Sequence, residues 1–373
     1  MTSSCLSGRR RCENHPVSRR LARSPSALAP SRRALLRAVG AAALVPLAAC
    51  GPIAVGGPEE YTPPPPGIDD LCRADLLELL DRALAGTEQV QASGAADPVL
   101  SSTLAALAAA LPVQRRALMT GAEIEKEQQA EDDPQPGQTS APPPGEVPED
   151  VAGLVSVLVE LRDLAAAAAR QISGSLARPV LAVAAHTAWA STRLESSAAS
   201  GHLTPSPAAE ELVPQREVPA ADPPSVGAES DYHTTIERAQ LEEWYAGYLH
   251  EVLAARVDGA GRQQHLDLAA LHRKRAEELG AVAEEDGAPV VARQAVYAVP
   301  GGTLDDQSAA ALPTQLAQGL MVDHIALAGA APFERRPLPI AAALQEAEQL
   351  ASLVDRMDPL PSLEVPDPPA AVG

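Results

Sequence analysis

Between its proline-rich breaks this chain repeats apolar residues every three or four positions. That spacing winds one apolar face onto a helix, whereas a half-buried strand needs a period of two. Leu100, Leu104, Leu107 and Leu111 share a face in this way, and so do Leu312, Leu316, Leu320 and Leu327. Composition agrees with the spacing. Aromatic side chains are 2 % of 373 residues, Ile is scarce, and Ala and Leu fill the segments. Strands draw on the residues that are missing and helices on those that abound. The expected fold class is all-α.

The breaks divide the chain. Residues 50–67 read as a tether, because Thr62-Pro63-Pro64-Pro65-Pro66-Gly67 favours extended geometry and cannot be helical. Residues 68–197 read as an N-terminal helical domain of four helices and 198–232 as a linker with six prolines. Residues 233–366 read as a second helical domain of four helices, with 367–373 as a tail. Asp69 or Asp70 is the expected cap of the first helix, Gly86 its approximate end, and Asp97 the start of the second. Pro112 is expected to kink or end that second helix. Thr234-x-x-Glu237 fits a capping box, and Thr303-x-x-Asp306 is a possible second. The helix after Thr234 has the apolar stripe Leu241, Tyr245, Tyr248 and Val252, with Trp244 alongside. His233 and His250 are expected at the surface.

The N-terminus reads as an address. Ser31-Arg32-Arg33 leads into an apolar run from Ala38 to Leu47, which ends at Leu47-Ala48-Ala49-Cys50. Such a run is about ten residues, against the roughly 20 that span a bilayer. Arg32-Arg33 resembles a twin-arginine export signal, although Leu35 stands where Phe is commonest. Leu47 to Cys50 resembles a bacterial lipobox, which implies that residues 1–49 are removed and that Cys50 carries lipid. Two acyl chains anchor stably where one does not. The chain has 29 basic and 49 acidic side chains, a net charge of −20. Residues 1–49 hold nine Arg and one Glu, so without them 20 basic and 48 acidic residues remain, a charge of −28. That balance argues against nucleic acid as a partner. Of the four cysteines, Cys5 and Cys12 leave with the signal, so Cys72 remains without a disulfide partner. It shares a face with Leu76 and Leu80 and is expected to be buried.

The chemistry-bearing residues are few. There is no Gly-rich phosphate loop, no Gly-x-Ser-x-Gly, no His-Glu-x-x-His and no Cys-x-x-Cys. Leu241-Glu242-Glu243, then Arg256, then Leu271-His272-Arg273-Lys274-Arg275, then Ala295-Val296-Tyr297-Ala298-Val299-Pro300 follow one another over the last third of the chain. Leu360-Pro361-Ser362-Leu363 closes the series. In order and spacing this resembles a bacterial ferritin-like domain family of actinobacterial lipoproteins with no established function. The family tends to have Phe-Pro-Gly-Leu at the closing motif. The resemblance implies a C-terminal ferritin-like four-helix bundle. Such bundles often hold two metals on one Glu from each of two helices and Glu-x-x-His on the other two. None of the eight histidines here has an acid three residues earlier; Met321 precedes His324 and Ala269 precedes His272. Glu243 and His272 are the remaining metal candidates, and Glu243 lies opposite the apolar stripe of its helix. His265 and His272 share a face but stand about 10 Å apart, too far to ligate one ion.

The expected protein is therefore exported and lipid-anchored on the outer face of the cytoplasmic membrane. It acts as a non-catalytic binding or scaffold module with a degenerate metal site, no resident cofactor and a cell-envelope protein as partner. The alternative is a divergent metal-dependent oxidase or iron-handling protein, with iron or another divalent metal near Glu243.

Overall fold

The structure, a computed structural model, describes residues 65–94, 97–132, 145–197, 203–217 and 228–363, with backbone alone at 131–132 and 228–230. Arg32, Arg33, Cys50, the rest of the export signal, most of the tether and the tail lie outside the described residues. Among those described there are nine α-helices, two short 3-10 turns and no strand. The helices are α1 (Ile68–Ala92), α2 (Pro98–Leu118), α3 (Gly121–Asp132), α4 (Val151–Ala169), α5 (Gly174–Ser197), α6 (Ala228–Ala254), α7 (Gly259–Glu285), α8 (Asp306–Ala330) and α9 (Pro337–Leu350). The 3-10 turns are Ala209–Glu211 and Phe333–Arg335.

Local chemistry starts most of these helices where periodicity places them. Asp97 accepts the Leu100 N–H at 2.8 Å and Asp150 the Gly153 N–H at 2.8 Å. Each satisfies an amide that the first turn leaves open. Other starts differ from expectation. Helix α1 begins one residue before Asp69, and that carboxylate instead accepts the Ser173 N–H at 2.9 Å and hydroxyl at 2.6 Å. Asp305, not Thr303, caps α8, accepting the Ser308 N–H at 2.7 Å. Helix α6 starts at Ala228, so Thr234 lies inside it and not at its start. Pro112 does not end α2. It sits on the exposed face, where water can serve the carbonyl its ring leaves free, and the helix runs on to Leu118. Gly86 lies well inside α1, because a Cβ there would meet the Pro148 ring at 2.8 Å.

Helix α5 organises the molecule. Every residue from Val180 to Ser191 is buried. A helix without a wet face must be packed on all sides, and α5 lies against α2, α4, α8 and α9. The two helical groups thus share one core, which joins Leu76, Leu107, Leu158 and Trp189 to Met321, Ile325, Ile340 and Leu344. Where α5 begins it touches the end of α8 through glycines: a Cβ on Gly174 would stand 2.5 Å from the Gly329 carbonyl oxygen.

Buried arginines bind the groups together. From α5, Arg193 donates to the Ala351 and Val354 carbonyls at 2.9 and 2.8 Å. Arg336, at the start of α9, donates to Ala331 O at 2.8 Å and also reaches the Ala169 and Ile172 carbonyls. Arg178 holds Ser362, whose φ of +72° is left-handed backbone that glycine takes without cost. The position is the one where the resembled motif carries Gly. Of the stretch 198–232 expected as a linker, 228–232 already belong to α6, and 203–217 lie against α4 and α9: Leu212 is buried, Arg162 donates to Thr204 O and Pro205 O at 2.8 and 3.0 Å, and the Ser206 N–H donates to Glu348 at 2.7 Å. Cys72 is buried as expected.

His186 sits fully buried in α5 with its ring 5.3 Å from that of Trp189, and neither ring nitrogen has a hydrogen-bond partner. Burial alone pulls its imidazole down to about 4. An unfolded histidine titrates near ~6.5, so the unfolded chain takes the proton first. Stability present above that value is lost as pH falls through 4. Roughly two and a half pH units at ~1.36 kcal/mol each amount to about 3 kcal/mol. His250, lowered to about 3 by burial and then by His272 and His265, adds to the loss in the same window. Urea unfolding at pH 7 and pH 4 checks this. The stability of His186→Leu should fall by about 3 kcal/mol less than that of the wild type between the two pH values; equal losses would contradict the reading.

Candidate functional site

The C-terminal group has separate buried apolar clusters, one of them Trp244, Ala276 and Tyr297. At one end Ile236, Ala239, Leu279, Ala283 and Leu327 cluster; at the other Ala246, Leu249, Leu253, Leu312, Leu316 and Leu320. A layer of polar side chains lies between them. Helix α6 supplies Glu243, α7 supplies His272 and Arg275, α8 supplies His324 and α9 supplies Glu346, and all five are buried.

Glu243 is 0 % exposed, while Leu241 of the expected stripe is 39 % exposed. The inward face of α6 is Ile236, Ala239, Gln240, Glu243, Ala246, Leu249, His250 and Leu253. Three polar residues on that face disguise it, and the apolar residues outside it point the periodicity the wrong way. His250 is likewise buried at 1 % exposure, not at the surface, while His233 is half-buried.

Glu243 and His272, proposed together from sequence, do meet: Nδ1 of His272 stands 2.8 Å from Oε2 of Glu243. Three further members escaped the reading. His324 places Nε2 2.7 Å from the other oxygen, Oε1. Arg275 directs one guanidinium nitrogen 3.4 Å from Glu243 Oε1 and, more closely, at Glu346. Its second terminal nitrogen binds Gln345. A carboxylate accepts only, so each imidazole donates to it. The discarded signals were a histidine between Leu320 and Leu327 on an apolar helix, and His272-x-x-Arg275, which puts both side chains on one face.

Electrostatics follow from this geometry. Burial pushes the Glu243 carboxyl up, but hydrogen bonds from His272 and His324 and the Arg275 charge outweigh it and hold the group below the usual carboxylate range. Burial pulls Arg275 down, and Glu346 and Glu243 more than reverse this. The guanidinium is set between two buried carboxylates.

The side chains around Glu243 are bound to one another. The two histidines flank Glu243, one on each oxygen, instead of converging on a point. One oxygen of Glu346 is held by Arg275, and a further cation would face a guanidinium. Among the described residues no three His, Cys, Asp or Glu side chains are grouped to hold an ion. No described helix is long and apolar enough to cross a membrane.

Neither the curated proteins nor the solved structures include a match to this chain. The family described as Domain of unknown function (DUF4439) matches residues 236–365, a span that contains Glu243, His272, Arg275, His324 and Glu346.

Proposed function

We propose that this chain is an exported lipoprotein, anchored through Cys50, whose ferritin-like C-terminal bundle serves as a non-catalytic binding or scaffold module for a cell-envelope protein. The observation that carries the reading is Arg275. It lies between Glu243 and Glu346 at the middle of four helices. There an internal guanidinium does the neutralising that a bound ion would otherwise do. With that charge in place the centre holds the helices in register. The Ser31–Cys50 signal supports the address, and the acidic body supports a protein held at the membrane by lipid while its charge keeps it off an anionic surface.

Elemental analysis tests the reading. Residues 51–373 are purified, incubated with ferrous iron and desalted, beside Glu243→Gln. We expect no iron that depends on Glu243. One or two irons per chain, lost in the variant, would sink the proposal and favour the oxidase reading.

A further inference from the structure

We propose that His250 and His265 form a second site, separate from the Glu243 centre, for a borderline divalent transition ion, copper(II) before zinc(II). The two rings come from different helices, α6 and α7. His250 is buried and His265 is half-buried, so the pair opens toward solvent on the α7 side. Their Nδ1 atoms face each other at 3.1 Å, with ring centroids 5.2 Å apart. Two nitrogens bonded to one ion at about 2.0–2.1 Å, in neighbouring positions, stand about 2.8–3.4 Å apart between square and tetrahedral angles. The pair therefore has the separation of two neighbouring ligands without any movement of helix.

His250 is also fixed in orientation. Its ring stacks on His272 at 5.3 Å between centroids and 13° between planes, which leaves Nδ1 aimed at His265. Along α7, His265 and His272 are too far apart to share an ion. The ring from α6 inserts between them and supplies the second nitrogen. In the pair without metal, one imidazole donates Nδ1–H to the other. An ion binds when the donor shifts that proton to Nε2 by exchange with water, so no net proton is released. Water completes the coordination. Imidazole donors select the late first-row ions, and copper(II) stands highest in that order.

The test is copper(II) alone, titrated into the purified chain at neutral pH and read by calorimetry and electron paramagnetic resonance. We expect one copper per chain, with hyperfine coupling from two imidazole nitrogens. His265→Ala, a half-exposed position whose fold is checked by circular dichroism, should weaken binding at least about tenfold. His233→Ala should leave it unchanged. Absent copper binding, equal affinity in His265→Ala, or a spectrum without nitrogen coupling would each overturn the proposal and leave only a hydrogen-bonded pair.

Discussion

Residues 228–366, expressed without the helices that precede them, are expected to show no cooperative unfolding transition. Helices α8 and α9 turn Met321, Ile325, Ile340, Leu344 and Leu350 toward α5 and its neighbours, and all five are buried there. Fully exposing an aliphatic side chain costs roughly 1.5–3 kcal/mol, so the five together lose about 10 kcal/mol. A typical domain has a total stability of about 5–15 kcal/mol. The truncated chain also loses the Arg193 donors to Ala351 O and Val354 O, and the Ala169 and Ile172 carbonyls that accept from Arg336. Far-UV circular dichroism and urea unfolding of the fragment against residues 51–373 decide the matter. A sharp transition in the fragment near the parent midpoint would show that the shared core is dispensable.

The second large effect is at Arg275. Arg275→Met keeps most of the side-chain volume and removes the charge, leaving Glu243 and Glu346 buried without their cation. Removing one partner from a buried ion pair costs about 3–5 kcal/mol. The deficit should shrink on acidification. Without the guanidinium the buried carboxyls hold their protons to higher pH than in the unfolded chain, so the variant is least stable where they must ionise. Comparing variant and wild type at each pH cancels the contribution of the buried histidines. A variant within about 1 kcal/mol of wild type at pH 7 would show that the carboxylates relax to water or find other donors.

These two sites also show what was legible beforehand. Leu312, Leu316, Leu320 and Leu327 announced α8, and all four are buried. Asp97 announced the start of α2. Leucine spacing succeeds because it records burial directly. It fails for α6, where Gln240, Glu243 and His250 hold inward positions and the wetter face carries Leu241. Glu243 and His272 were found through a resemblance and not through periodicity. His324 lies 81 residues from Glu243 along the chain, and nothing local to it speaks of a carboxylate partner. Arg275 reads as one of four basic or imidazole residues in a row until the partner helix brings Glu346 to it. Nor could the union of the two groups be read from either one, since α5 between Val180 and Ala190 is mostly Ala and Val on every side.

That alanine surface has a consequence for how the protein can vary. Between Val180 and Ala190 the buried surface of α5 includes Ala182, Ala184, Ala185, Ala188 and Ala190, and Gly174 touches Gly329 at its start. Side chains this small have almost nothing left to lose. Drift at these positions can proceed in one direction only, toward bulk, and each step must lever apart helices already at their nearest approach. The outer helices can trade volume with their neighbours over generations; these alanines and glycines can only be kept.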